Sequence, residues 1–178
     1  MAWEEHLVDL FEDLEHQAQA LADAERGPEL ADRSRAEYRG VTLASRLMAS
    51  VGRDVVLRVE GVGRLEGRVQ RVGAGWGLLS GSAGHDWLLA LPALTRVAGA
   101  SPRSVPEVAW PRVAGLGLGA ALRRLAEEEQ HCLVHLRDGD RLDGVLQRVG
   151  VDFAEVLDPA GRLTLVAFDA LAAVQSRE

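Results

Sequence analysis

The stretch Ser80-Gly81-Ser82-Ala83-Gly84-His85-Asp86 brings a serine, a histidine and an aspartate close together. Nucleophilic catalysis needs a hydroxyl within reach of an imidazole that a carboxylate orients. A nucleophile elbow would require glycine at position 80, where Ser80 stands, and a strand-to-helix context that is absent. Neighbours on a hairpin rarely align as a triad, so the stretch reads as a polar turn. His131 and His135 form a second constellation. On a helix they would share a face; on a strand they lie roughly 13 Å apart, too far for one metal ion. The alternation around them favours a strand, and Cys132, in phase with Val134 and Leu136, reads as a small core residue. Gly115-Leu116-Gly117-Leu118-Gly119 has the glycines of a phosphate loop without its spacing or its lysine, and reads as the lead-in to a helix. No catalytic, metal-binding or cofactor-binding residue is expected, and the chain is not expected to be an enzyme.

The elements around these residues repeat. Arg64-Leu65-Glu66-Gly67-Arg68-Val69-Gln70-Arg71-Val72-Gly73 and Arg141-Leu142-Asp143-Gly144-Val145-Leu146-Gln147-Arg148-Val149-Gly150 share seven of ten residues at an offset of 77. The offset persists without a gap through Leu88 and Leu165, Ala93-Leu94 and Ala170-Leu171, and Val97 and Val174. A constant offset over so long a stretch indicates duplication. Each copy has a short helix first, Val41–Ser50 or about Leu118–Gln130. Alternating Val55, Leu57 and Val59, or Cys132, Val134 and Leu136, predict a half-buried strand. Turns at Gly61-Val62-Gly63 and Asp138-Gly139-Asp140 lead into the next strand. Further strands are expected at Trp76–Ser80 or Phe153–Leu157, up to Ala90 or Ala167, and at Val97 or Val174. Gly67 and Gly144 sit mid-strand, where glycine is costly unless a bend or a close approach demands it, and are expected to bend a short sheet. Gln70-Arg71 and Gln147-Arg148 are expected at the exposed ends of bent strands, with Arg71 and Arg148 as candidate contacts to a partner.

This order of a helix, five bent strands and a short turn before the last resembles the Sm-like (LSm) fold over about 40–99 and 117–176. The pattern also fits other small barrels, SH3-like and PRC-type. The resemblance implies two tandem five-stranded barrels, each preceded by a helix, behind an N-terminal helical segment, and a habit of edge-to-edge assembly. It does not carry RNA-contacting residues across. Where RNA-binding members place an Asp and then an Asn, this chain has Gly73 and Gly77, and Gly150 and Ala154; near the later Arg-Gly pair it has Leu91-Pro92 and Phe168-Asp169. An Sm-related RNA-binding regulator is the alternative function, and it is disfavoured.

Residues 1–39 hold eleven acids and four arginines, and residues 40–178 hold sixteen of each. The acidity of the chain therefore lies in its N-terminal segment, which would repel nucleic acid and anionic membranes. In that segment Trp3, Leu7, Leu10, Leu14, Gln17, Leu21 and Ala24 recur at heptad spacing, and Phe11 widens the seam. Trp3, Leu7, Leu10, Phe11 and Leu14 are candidate contacts for packing within the chain, for self-association or for a protein partner. Residues 100–114, with Pro102, Pro106 and Pro111, read as a linker, and Trp110 is expected to cap an apolar edge. The resulting domains are 1–39, 40–99, 100–114 and 115–178. Residues 40–100 carry seven arginines against four acids, and 115–176 six against ten, so the copies have diverged to opposite charge. Contact between unlike copies is expected on that ground. Lysine, isoleucine and asparagine are absent, which points to a high-GC bacterial genome. No apolar run is long enough to span a membrane, the start lacks the pattern of a signal peptide, and Cys132 is the single cysteine, so a cytoplasmic location is expected. The function expected overall is a non-enzymatic protein-interaction or assembly module.

Overall fold

The computed structural model describes residues 38–82 and 84–176. The chain divides into two compact units, 1–41 and 42–178. Of the first, a turn is described in which the Val41 amide donates to the Tyr38 carbonyl. The second unit holds all the elements below.

Helix α1 (Leu43–Met48) starts at Thr42, whose hydroxyl accepts from the Ser45 amide while Ser45 Oγ accepts from the Thr42 amide. This reciprocal cap satisfies two donors that a helix start otherwise leaves free. Strand β1 (Asp54–Val59) buries Val55, Leu57 and Val59, as their alternation predicts. β2 (Gly63–Gly73), β3 (Trp76–Gly81), β4 (Asp86–Ala90) and β5 (Leu94–Ala98) follow, with a 3₁₀ turn at Leu91–Ala93. Helix α2 (Leu118–Glu127) is followed by β6 (His131–Leu136), β7 (Arg141–Val149), β8 (Phe153–Leu157), β9 (Leu163–Ala167), a 3₁₀ turn at Phe168–Ala170, and β10 (Leu171–Ser176). α2 stops three residues short of the expected Gln130, because Glu129 adopts left-handed backbone at φ 49° and ends the helical path.

The duplication is visible strand for strand, but the expected pair of separate five-stranded barrels is not what forms; the helical segment expected ahead of them falls on 1–37, outside the described residues. The ten strands make one continuous antiparallel sheet in the order β5-β1-β2-β3-β4-β10-β6-β7-β8-β9. β10 lies between the two copies, paired on one side with β6 and on the other with β4 of the first copy. The physical reason lies in its side chains. Ala172 and Ala173 enter the first core beside Leu57 and Leu89, while Leu171 and Val174 enter the second beside Val134 and Leu146. β4 is shared likewise: Leu89 belongs to the first core and Leu88 to the second. Each core is completed by a strand of the other copy, so neither copy closes on itself. The contact between unlike copies expected from their charges thus occurs within the chain.

Residues 100–114, expected to be a linker, are held against the first copy. The Ser101 amide donates to Ser50 Oγ, its carbonyl accepts from Arg46, and the Ala74 amide donates to the Ala114 carbonyl. Among the described residues no helix is long and apolar enough to cross a membrane.

Candidate interaction surface

Cross-strand partners in an antiparallel sheet put their side chains on the same face, so a row of partners is a line of neighbours. In the first copy one such row runs Asp54–Arg68–Ser80–Asp86 across β1 to β4. It is polar throughout. Arg68 grips Asp54 with two hydrogen bonds, of 3.1 and 3.0 Å, which hold the Asp54 carboxyl below its ordinary value. At the offset of 77 the same row in the second copy runs His131–Val145–Leu157–Leu163 across β6 to β9. Three of its four members are apolar, and the last, on β9, is 51% exposed.

Among the described residues β9 is also an edge, with β8 on one side and no strand on the other. On its outward face Leu165 stands beside Leu163, 63% exposed, whereas its counterpart Leu88 on β4 is 5% exposed. The other free edge, β5, is different. At the positions of the fully buried Ala172 and Ala173 of β10 it carries the exposed Thr95 and Arg96, and Arg96 lies opposite Arg58 on β1. A charge on an edge strand discourages further pairing, so β5 is guarded and β9 is not.

The internal joint shows what a sealed edge requires. Leu89, Leu88 and Trp87 pair with Ala173, Val174 and Gln175. The buried His135 ring lies 5.2 Å from the Trp87 ring, and its Nε2 is 3.0 Å from Gln175 Oε1. Its Nδ1 is buried without a partner, and burial holds the imidazole below its ordinary value. Glu60 and Arg137, equivalent positions of opposite charge, pair at 2.8 Å. Gly61 at φ +72° packs so close to the Leu136 carbonyl that a Cβ would lie 1.9 Å from its oxygen.

Gly67 and Gly144 are equivalent, as expected, and the demand on both is close approach. A Cβ at either would lie 2.2 Å from a backbone oxygen of the next strand, that of Ser80 or Leu157. Arg71 and Arg148 are exposed and lie near the ends of their strands, two residues before the last of β2 and one before the last of β7. The register shifts between Val69 and Arg71 and between Leu146 and Val149, so each Gln-Arg pair forms a bulge that turns both side chains outward. Arg148 is tied to Glu155 at 2.8 Å, and Arg71 borders a shallow hollow with Met48, Trp76 and Pro111. Trp3, Leu7, Leu10, Phe11 and Leu14 lie outside the described residues.

Ser82 and His85 are on the β3–β4 turn, Asp86 opens β4, and no hydrogen bond joins the three. Instead the Asp86 amide donates to Ser176 Oγ, and His85 Nδ1 is buried without a partner. His131 and His135 are both on β6, and the Cys132 thiol between them is pushed up to about 11 by burial. Trp110 donates from Nε1 to the Val105 carbonyl within its own segment, and the Gly115–Gly119 stretch leads into α2, with the Leu116 carbonyl accepting from Trp76 Nε1. The contrast between the rows and the exposure of β9 were missed from sequence, although both can be read by setting the copies side by side.

No family model matches the chain, and no curated protein matches it.

Proposed function

We propose that this chain is a non-enzymatic protein-interaction or assembly module whose docking surface is the apolar row of the second copy and the β9 edge on which it ends. The observation that carries this reading is the difference between the rows. Val145, Leu157 and Leu163 stand where the duplicated first copy has Arg68, Ser80 and Asp86. An apolar line running out to an unguarded edge is a costly arrangement in water unless something covers it. The polar residues that could do chemistry support no enzyme reading. Ser82, His85 and Asp86 lack mutual hydrogen bonds, and the Cys132 thiol is buried and protonated. A cytoplasmic location fits a chain with a single cysteine kept as a core residue.

The test grafts the first row onto the second. The triple variant Val145→Arg, Leu157→Ser, Leu163→Asp and the wild-type chain are tagged and recovered after cross-linking in the native host. The wild type is expected to carry cross-linked protein that the graft loses while keeping the same circular dichroism. A graft that retains the same cross-linked species would overturn the reading.

A further inference from the structure

From the two edges of the sheet we infer that β9 pairs antiparallel with β9 of a second copy of this chain, across a twofold axis through Leu165. The inference rests on the docking role given above to the β9 surface and names its partner. Its first support is continuity with the joint already present. β4, the counterpart of β9, is sealed by antiparallel pairing with an uncharged strand, and that pairing buries Leu88 where Leu165 lies open.

The second support is which strand of a second copy could serve. β5 is the counterpart of β10, but it does not reproduce the joint. In that role Arg96 and Thr95 would replace Ala173 and Ala172, which are 0% exposed in the seam. Asp138 would take the place of Gly61, where no Cβ fits, and Thr164 with Arg58 would replace the Trp87–His135 ring contact. Paired with itself, β9 brings neither Arg96 nor Arg58 to the seam. Leu163-Thr164-Leu165-Val166-Ala167 carries no charge. An antiparallel twofold at Leu165 sets Leu165 against its own copy, Leu163 against Ala167, and Thr164 against Val166. Such a contact is self-complementary, as closed dimers require. The charges flanking the strand are already neutralised in pairs, Arg162 with Asp158 and Arg148 with Glu155.

The twofold pairing makes an electrostatic demand that separates it from the alternative. It brings together two second copies, each with six arginines against ten acids over 115–176, so added salt strengthens it by screening like charge. Pairing of β9 with β5 would join unlike copies and weaken with salt.

The experiment uses the full chain. Sedimentation velocity between about 1 and 200 µM, the range of weak transient interfaces, is expected to show a monomer–dimer equilibrium that shifts toward dimer as salt rises. Leu165→Arg is expected to weaken it at least about tenfold, since like charges directly opposite one another oppose pairing. Leu165→Cys keeps the strand intact and reads the axis directly. Under a mild oxidant it is expected to form a homodimeric disulfide, because directly opposed residues meet the distance a disulfide needs. A monomer throughout the range, a dimer untouched by Leu165→Arg, or a mixture of Leu165→Cys and Val97→Cys chains that yields only the mixed disulfide would overturn the inference. Loss of cross-linked host protein in the grafted-row variant, with a wild type that stays monomeric, would leave the docking surface standing and remove the second copy as its occupant.

Discussion

Leu88 and Leu165 occupy the same position of a duplicated strand; one is 5% exposed and the other 63%. The residue type is unchanged, and so are the strand and the turn that follows. What differs is the neighbour: β10 lies beside β4, and among the described residues no strand lies on the outer side of β9. Burial here is a property of topology more than of sequence. The residues around the two leucines have adapted to that difference, becoming polar along the row beside the sealed edge and apolar along the row that leads to the open one.

The comparison predicts both sameness and difference. Sameness should be clearest at Gly67 and Gly144. Alanine at either would put a Cβ 2.2 Å from a backbone oxygen, so each substitution is expected to cost about 3 kcal/mol or more. Denaturant unfolding that finds one of the two tolerated would break the equivalence of the copies. Difference should appear at the leucines. Leu88→Asp leaves an unpaired carboxylate in a core and is expected to cost roughly 3–5 kcal/mol. Leu165→Asp, assayed on dilute protein, is expected to stay within about 0.5 kcal/mol of wild type. Similar costs at both sites would mean that β9 is covered after all.

A smaller effect is expected at the joint. The buried His135 imidazole titrates below its ordinary value, chiefly through burial, against the opposing effect of its Gln175 bond and with Arg141 nearby. As pH falls the unfolded chain takes up that proton first. The stability that neutral His135 supports is complete above about pH 6.5 and is lost progressively below it. Thermal unfolding from about pH 7.5 to 5.5 should show this fall, and His135→Gln should flatten it. An unchanged slope in the variant would assign the fall to other groups. The smallest effect is expected with single-stranded RNA, which should bind more weakly than about 10⁻⁶ M at physiological salt. Nanomolar, salt-sensitive binding would contradict it.

Much of the fold was legible because periodicity and the offset of 77 are local signals. The alternation of Val55, Leu57 and Val59 marks β1, and Leu91-Pro92-Ala93 breaks the chain where the 3₁₀ turn falls. That unlike copies meet was legible from their charges, but which strands form the ladder was not, since backbone hydrogen bonds between distant strands leave little trace in residue types. The trace that exists is subtractive: Ala172-Ala173 where the first copy has Thr95-Arg96, and Gly61 where the second has Asp138. The Gln-Arg pairs were legible as exposed residues near strand ends, but not the bulges that turn both side chains outward, since a bulge shows only once the register is known. The apolar row escaped notice because its members are spread over three strands and align only once the register is known.

The seam between β4 and β10 also sets a schedule. Leu89 and Ala173 are partners 84 positions apart (173 minus 89), and β10 is the last of the ten strands to be made. At ribosomal rates of 5–20 residues per second, β4 waits roughly 4–17 seconds for its partner. During that interval β4 has an unpaired flank, and Leu88 lacks the strand that covers it in the finished protein. Chains emerging side by side on one message would then offer each other unsealed strands, so crowded translation is when this sheet is most prone to join the wrong molecule.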